Sequence, residues 1–270
     1  MNMFTNVHFF VVKLRLKKKV NFSYTPFLFW GPAFSDVGSA RWGNMEKIVV
    51  YTGTRNIYDD METSAKSLLY HTPDVRVYFL IEDDAFPSEL PQNITTLNVS
   101  RQRFFPADGP NMTSLFTYMA MMRATMFRMF PDKKRVVTMD CDTIVRSDVS
   151  ELWELPIDGY YFAAAPEAHR TQFGLMYTNI GVCFQNLDML RNGKGEEIIR
   201  VLNRRRFNWV EQDVMNYLCQ GYIFAMPAQY NHTPWTPSLY PVKIEHFAGQ
   251  QTGHNDPEYL YYKNTPWGAL

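Results

Sequence analysis

The chain has 270 residues, of which 46% are hydrophobic and 16% aromatic, so it can bury a sizeable core as one large domain or two small ones. Its 27 Lys and Arg balance 27 Asp and Glu, and the mildly acidic body beyond residue 44 lacks the charge of a nucleic-acid-binding protein. Three cysteines without zinc or redox spacing, no apolar run of the ~18 residues a membrane span needs and no signal-peptide pattern predict a cytoplasmic protein without a transmembrane segment.

Residues 1–44 differ from the rest of the chain. They lack helical or strand periodicity and carry six Lys and Arg against one Asp, with a basic run at 17–19. A buried-strand pattern begins directly afterwards, so one interpretation is that Met45 is the working start. In that case residues 1–44 form a poorly ordered leader outside a domain of residues 45–270. The alternative is a short targeting or membrane-surface segment built on the basic run.

From Met45 onwards, predicted strands alternate with predicted helices. Runs of β-branched and aromatic residues predict strands at 48–51, 75–81, 136–139, 160–165, 181–184, 222–226 and 243–247. Apolar residues at helical spacing predict helices at 61–70, 113–130, 196–205 and 211–218. Asn111 or Thr113 would cap the second of these helices, and Pro131 would end it. The alternation predicts a single α/β domain with a mostly parallel central sheet flanked by helices.

Asp140 and Asp142 directly follow the predicted strand at 136–139. In an open α/β sheet, ligands bind beyond the carboxyl ends of the strands. Carboxylate oxygens are ligands that suit Mg²⁺ or Mn²⁺, so the pair is a candidate metal site. An Asp-x-Asp triplet is expected about once by chance in a chain of this length. The other interpretation is therefore a turn whose acidic side chains are simply solvated.

Two further residues carry charge in apolar surroundings. Arg123 shares one face of its predicted helix with Phe116, Ala120 and Phe127, and an unpaired guanidinium there is costly. Its partner is either a buried carboxylate or a phosphate, which the planar fork of Arg binds well. His246 ends an apolar strand and is either a satisfied core residue or the third ligand of a metal site. Two carboxylates and one imidazole suit Mn²⁺.

Five short segments occur in the order in which one known family carries them. They are VVYT at 49–52, VTMDCDT at 137–143, NIGV at 179–182 with the NL pair at 186–187, EQDVMN at 211–216 and HFAG at 246–249. On these segments the chain resembles the glycogenin-like retaining glycosyltransferases, glycosyltransferase family 8, from about Met45 to Gly249. The resemblance implies a GT-A, Rossmann-like fold. It also implies transfer of a hexose from a nucleotide diphosphate sugar, with a uridine diphosphate sugar as the expected donor.

The resemblance also implies a role for each matching residue. Asp140, Asp142 and His246 would hold Mn²⁺ or Mg²⁺, and Arg123 would contact the diphosphate. The catalytic residues near the reacting sugar carbon would be Gln212, Glu211 and Asn179, with Glu167 on the sugar side. The nucleotide would be held by Tyr51, Thr52, Asn56, Tyr58 and Cys141. Tyr51 or Tyr58 would stack on the base; core packing is the other interpretation for these two rings.

Two positions depart from the family pattern. Thr252 stands where the family often has a Lys on the diphosphate, with His254 nearby, and Glu211 stands where an Asp is usual. Because of these two departures, an alternative function stays open: a catalytically silent protein that binds a nucleotide sugar and acts through a partner. A nucleotidyltransferase usually has a Gly-rich phosphate loop, which Gly53 alone does not make.

The acceptor has no signature in the sequence. It is a glycan, a lipid-linked sugar, a protein side chain or a small alcohol. Trp209, Trp235 and Trp267 are candidates for an acceptor groove, although packing in the core is the commoner use of such residues.

Overall fold

The structure is a computed structural model that describes residues 46–113, 116–167, 175–249 and 255–270. The strands are β1 (Ile48–Thr52), β2 (Arg76–Ile81), β3 (Ile94–Asn98), β4 (Arg135–Met139), β5 (Thr143–Val145), β6 (Phe162–Pro166), β7 (Thr178–Asn186), β8 (Ile223–Ala225) and β9 (Ile244–His246). The helices are α1 (Tyr58–His71), α2 (Tyr118–Met122), α3 (Met126–Met129), α4 (Leu187–Met189), α5 (Gly195–Leu202), α6 (Val210–Leu218) and α7 (Pro257–Asn264). Short turns of tighter helix include Arg55–Ile57, Arg123–Thr125 and Ser150–Glu154.

The main sheet has seven strands in the order β3-β2-β1-β4-β7-β6-β8. Parallel pairs join β1 to β2 and β4, β2 to β3, and β6 to β8, while β7 runs antiparallel to β4 and β6. The sheet is therefore mostly parallel, as predicted, with a reversed strand beside β4. A separate antiparallel pair joins β5 to β9 and sets Thr143 opposite His246.

Two cores lie on the opposite faces of the sheet. Along β1, Ile48 and Val50 point into one core, whereas Val49 and Tyr51 point into the other, because successive side chains of a strand alternate between faces. Helices α2, α3, α5 and α6 cover the first face, and α1 with the turn Ser150–Glu154 covers the second. Helices on both faces explain why the strands are so apolar.

The long helix predicted at 113–130 is wrong at its start. The helix begins at Tyr118, after Thr117 in an extended conformation, and Arg123–Thr125 tightens its middle. Asn111 does not cap it: the Asn111 amide donates to the carbonyls of Leu202, the last residue of α5, and Arg205 (2.6 and 2.8 Å). The side chain predicted to cap the start of this helix therefore donates to the free carbonyls at the end of α5.

The other predicted strands and helices are present, with ends shifted by a few residues. Four elements were not predicted: β3, whose threonines give a weak apolar pattern, the three-residue elements β5 and α4, and α7. Asp256 caps α7 by accepting from the backbone of Glu258 and Tyr259 (3.0 Å each). Among the described residues, no helix is both long and apolar enough to cross a membrane. The predicted leader 1–44, Thr252 and His254 lie outside the described residues, and the leader and the cytoplasmic location stay predictions.

Candidate active site

Asp140 and Asp142 lie where β4 ends, at the carboxyl edge of the parallel strands. The turn is held by its backbone: the Asp140 N–H donates to the Gly181 carbonyl (2.7 Å), and the Thr143 hydroxyl donates to the Asp140 carbonyl (2.8 Å). Both carboxylates face a cleft. Cys141, between them, turns into the second core, where its thiol donates to the Thr52 carbonyl (3.6 Å) and burial raises its pKa well above the usual range.

His246 joins the two carboxylates through the pairing of β5 with β9. Its Nε2 atom lies 3.4 Å from Asp140 Oδ2 and 3.3 Å from Asp142 Oδ1. One ligand atom from each of the three residues falls within 4.8 Å of the others. Two carboxylate oxygens and one imidazole nitrogen form the donor set expected around Mn²⁺ and acceptable to Mg²⁺. The residues present therefore fit a divalent cation.

The charges in this cluster are mutually adjusted. Burial alone would lower the pKa of His246, but the carboxylates of Asp142 and Asp140 outweigh it, so the pKa is raised. Burial alone would raise the pKa of Asp142, but the nearby imidazole outweighs it, so the pKa is lowered. The cluster thus favours an ionised Asp142, the form that binds a cation.

Gly181 on β7 makes room for this cluster. A Cβ atom built there would lie 2.1 Å from His246 Cε1 and 2.9 Å from Asp140 Oδ2, both too close for any side chain. Only glycine allows β7 to pass behind the imidazole with the ring in its observed place. The sequence NIGV at 179–182 therefore has a steric reason for its glycine.

Arg123 is buried beneath the cleft, in the turn between α2 and α3. Its guanidinium donates to the Ile180 carbonyl and to Asp140 Oδ1, and its Nε lies 4.0 Å from Glu211 Oε1. Burial would lower the pKa of Arg123, but Asp140 and Glu211 outweigh it and keep the group charged. Of the two partners that the sequence allowed, the structure shows carboxylates.

Glu211 and Gln212 begin α6 on another side of the same cleft. Burial raises the pKa of Glu211 to about 7, despite the opposing charge of Arg123. Gln212 Oε1 accepts from the Ile180 N–H (3.2 Å), and its amide donates to the Tyr177 hydroxyl (3.2 Å). The preceding Val210 has φ +40°, a strained conformation for a β-branched residue. Such strain is found where the surroundings hold a functional geometry in place.

Glu167 and Asn179 form the remaining polar wall. The Asn179 amide donates to Glu167 Oε1 (2.9 Å), and Asn179 Oδ1 accepts from the Gly181 N–H (2.8 Å). Both residues are buried beside the cation cluster. They supply neutral and anionic oxygen acceptors of the kind that bind sugar hydroxyls.

These residues meet in one cleft of about 300 Å³, within the usual range for a small-molecule site. Its floor is polar and its mouth carries aromatic rings. The lining residues are Phe116, Ala120, Arg123, Asp140, Asp142, Glu167, Asn179, Trp209, Glu211, Gln212, Trp235, His246, Ala248 and Gly249.

Comparison with models of protein families identifies the family of this chain. The model described as Glycosyl transferase family 8 matches residues 48–251, which is most of the chain. The chain belongs to glycosyl transferase family 8. The resemblance seen in the five sequence segments is thereby confirmed.

Curated relatives and solved structures were compared with the chain as well. The lipopolysaccharide 1,2-glucosyltransferase of Escherichia coli K12 is 23% identical over 220 residues, covering 73% of this chain and 63% of that protein. The galactosyltransferase LgtC, solved with donor and acceptor sugar analogues, superposes with a TM-score of 0.64 at 16% identity over 83% of this chain and 100% of its own. GlyE of Streptococcus pneumoniae TIGR4 gives 0.63 at 19% identity, over 83% and 62% of the two chains. The chain thus spans less than two thirds of the length of the E. coli protein. The two superposed structures confirm the predicted fold.

The nucleotide-side residues expected of family 8 do not all line the cleft. Tyr51 is fully buried: its ring packs edge-on against Phe79 (5.8 Å between centroids) and its hydroxyl accepts from Ser64 (3.1 Å). Tyr58 stacks on Phe86 (5.0 Å between centroids). Neither tyrosine lies among the residues that line the cleft, so the expected stacking on a base is not supported and core packing is the observed arrangement.

The other expected nucleotide contacts, Thr52 and Asn56, lie near the end of β1, outside the cleft lining. Thr52 is half-buried beside Cys141, and Asn56 is exposed in the turn Arg55–Ile57, where the Thr54 hydroxyl bonds its side chain. Of the three tryptophans proposed for an acceptor groove, Trp209 and Trp235 line the cleft. Trp267 instead lies beside Lys66, whose ammonium is 5.5 Å from the ring centroid.

Two functional neighbours were missed by sequence reasoning. Tyr177 donates to Asp213 (2.6 Å) and accepts from Gln212, which fixes the start of α6. Asn231 contacts His246 and Asn179. Neither residue stands at a telling spacing from the Asp-x-Asp triplet, so no local signal pointed to them.

Proposed function

We propose that this protein is a divalent-cation-dependent glycosyltransferase that moves a hexose from a nucleoside diphosphate sugar, with uridine as the expected nucleoside, to a hydroxyl acceptor. The observation that carries the proposal is the convergence of Asp140, Asp142 and His246 beside Arg123 in one cleft of a family 8 fold. The E. coli relative is named a glucosyltransferase and LgtC a galactosyltransferase, which supports a hexose as the transferred group.

Asp140, Asp142 and His246 would hold Mn²⁺ or Mg²⁺. When bound, such an ion neutralises the oxygens of a diphosphate and so stabilises it as a leaving group. Arg123 would stabilise the same developing negative charge, because its guanidinium is permanently protonated and already faces the cleft. Its buried position means that this contact is not weakened by water.

The sugar would lie against the wall formed by Gln212, Glu211, Asn179 and Glu167. Loss of the nucleotide leaves positive charge on the sugar ring, as in glycoside hydrolysis. The amide oxygen of Gln212 and the carboxyl of Glu211 would stabilise that charge, which is compatible with retention of configuration. Asn179 and Glu167 would hold ring hydroxyls. Burial raises the pKa of Glu211 to about 7, which would make this stabilisation depend on pH.

The nucleotide would extend from the cation cluster towards the end of β1. Thr52 and Asn56 remain candidates there, since their side chains are not fully buried. The rings of Tyr51 and Tyr58 would support this edge from below by packing in the second core.

The acceptor would enter at the mouth of the cleft. Trp209 and Trp235 are 44% and 41% exposed there, and the ring of Trp209 lies 5.7 Å from that of Phe116. Exposed aromatic faces bind the apolar C–H faces of pyranose rings. These rings therefore support a sugar-bearing acceptor over a small alcohol.

The test is a donor screen with product detection by mass spectrometry, with Mn²⁺ present and again with excess chelator. Asp140→Asn and Asp142→Asn should each nearly abolish both transfer and the slow hydrolysis of the donor. Asp142→Asn should leave the melting temperature within a few degrees, because its carboxylate faces the cleft. Asp140→Asn should also lower the melting temperature, because Asp140 neutralises the buried Arg123. Full activity in excess chelator would contradict the cation dependence. Donor binding without hydrolysis or transfer, with every donor tried, would favour the catalytically silent binding protein instead.

A further inference from the structure

Asn231 is a fully buried amide behind the cation cluster, with 0% exposure. Its Nδ2 donates to the carbonyl and to the side-chain Oδ1 of Asn179 (3.0 Å each). Its Oδ1 lies 2.8 Å from His246 Nδ1. Because the amide nitrogen faces two oxygens that can only accept, the oxygen end of Asn231 must be the end that faces His246.

This orientation decides which ring nitrogen of His246 carries a proton. An amide oxygen only accepts, so Nδ1 of His246 must donate to it. The neutral imidazole then has its lone pair on Nε2, the atom 3.3 to 3.4 Å from the carboxylates of Asp142 and Asp140. A partner that holds the far nitrogen of a ligating histidine also fixes the ring orientation and strengthens the ligand.

The same amide ties the two halves of the cleft together. Asn179, which receives both donations from Asn231, in turn donates to Glu167 (2.9 Å). A continuous chain of hydrogen bonds thus runs from Glu167 through Asn179 and Asn231 to His246. Loss of the Asn231 side chain would break this chain at its centre and leave buried polar groups unsatisfied on both sides.

We propose that Asn231 is the positioning residue of the cation site, holding His246 in the Nδ1–H tautomer so that Nε2 is available as a ligand. The inference rests on the proposed function, since it gives His246 the role of a ligand. Asn231 also begins an Asn-x-Thr glycosylation pattern. Its complete burial leaves no access for a glycan in the folded protein, and it is the hydrogen bonds of the amide that explain the residue.

Two substitutions separate positioning from simple packing. Asn231→Leu has a similar shape but no acceptor for Nδ1–H, and it should weaken Mn²⁺ binding by about 10- to 100-fold, the usual range for loss of such a partner. Asn231→Asp restores an acceptor for Nδ1–H but loses amide donation to Asn179, and it should bind Mn²⁺ within about 3-fold of the unchanged protein, as carboxylate–histidine partners do. If Asn231 has only a structural role, Asn231→Asp should weaken Mn²⁺ binding at least as much as Asn231→Leu does, because a buried acid would disturb the contacts with Asn179 at least as much as a leucine would.

A matched control is available in Asn111, which is equally buried at 1% exposure and also makes three hydrogen bonds, to the carbonyls of Leu202 and Arg205 and from the Phe207 N–H. None of these partners lines the cleft. Asn111→Leu should therefore lower the melting temperature without changing Mn²⁺ affinity. It reports what the loss of any buried amide does to this fold.

The experiment titrates each full-length protein with Mn²⁺, alone and with uridine diphosphate, and follows unbound Mn²⁺ by electron paramagnetic resonance. Asp140→Asn is titrated alongside: if it binds like the unchanged protein, or if that protein binds no Mn²⁺, the proposed function fails and this inference with it. If Asp140→Asn loses binding but Asn231→Leu does not, the inference alone is overturned. Should Asn231→Leu not fold, Asn231→Asp decides by itself: near-normal affinity supports the proposal, and a 10-fold or greater loss refutes it.

Discussion

Replacing Arg123 by Met tests how the site is held together. The side chain of Arg123 is only 6% exposed and lies between Asp140 and Glu211, whose side chain is 7% exposed. Methionine keeps most of the apolar stem but removes the charge and the donations to Asp140 and the Ile180 carbonyl. The substitution therefore leaves a buried carboxyl without its cation.

The magnitude follows from the burial of that pair and depends on pH. Breaking a buried ion pair by removing one partner costs about 3–5 kcal/mol, and we expect that loss of unfolding free energy at pH 8. Glu211 has a pKa of about 7, and loss of the opposing cation raises it further, so the variant holds its proton to higher pH. From pH 6 to pH 8 the variant then loses up to about 1.4 kcal/mol more stability than the unchanged protein, one pKa unit being worth 1.36 kcal/mol. The destabilisation should thus be smaller at pH 6.

The assay is urea unfolding of both proteins at pH 6 and pH 8. Arg128→Met is the control, because Arg128 makes two 2.6 Å bonds to Glu196 but is 50% exposed. Loss of such a surface pair should cost about 0–1 kcal/mol. If Arg123→Met loses no more stability than Arg128→Met at pH 8, the guanidinium does not neutralise a buried carboxyl and this account of the site is wrong.

Two further predictions follow from the same cluster. Gly181→Ala should displace the His246 ring, since a Cβ would lie 2.1 Å from it, and should lower Mn²⁺ affinity at least 10-fold in the same titration; unchanged affinity would show that the ring is not confined. Glu211→Gln should flatten the pH dependence of unfolding. The folded-state pKa of about 7 lies above the ordinary 4.5, so the contribution of Glu211 to stability is fully present below pH 4.5 and falls by up to about 3 kcal/mol as the pH rises past 7. A difference between the two proteins that does not grow with pH would refute the assignment.

The strands that form the sheet could be predicted because helices cover both of its faces. Strands in that setting are short continuous apolar runs, and β1, β2 and β4 stand out for that reason. β3 did not, since its threonines are only partly buried near the sheet edge. The start of the second helix was predicted wrongly because a polar residue before an apolar run was interpreted as its cap. A capping residue can satisfy any nearby chain end, and Asn111 satisfies the one after α5.

Within the site, contacts along one strand end were predictable and contacts between distant segments were not. Asp140 and Asp142 could be placed from the end of β4 alone. His246 reaches them through the β5–β9 pairing, across about a hundred residues of chain. Its place at the end of an apolar strand left a core role and a ligand role open, and the family resemblance favoured the ligand role. Tyr51 could have been rejected from the sequence. It is two residues from Val49 on β1, so its ring points into the same core.

The partners of the three candidate ligands explain the shape of this cluster. The two oxygens of Asp140 have different partners: Oδ1 accepts from Arg123, which turns Oδ2 towards His246 and Asp142. The imidazole is turned by Asn231 on its far side, and the absence of a side chain at Gly181 leaves the space that the ring occupies. Asp142 is held through its own carbonyl, which accepts from the Phe247 N–H (2.9 Å). Each ligand is thus oriented by a neighbour that does not itself bind the ion, and those neighbours come from different segments of the chain. Because a preformed site does not lose this conformational freedom again on binding, substitutions at Arg123, Gly181 and Asn231 should act on the cation through orientation, with the ligands themselves unchanged.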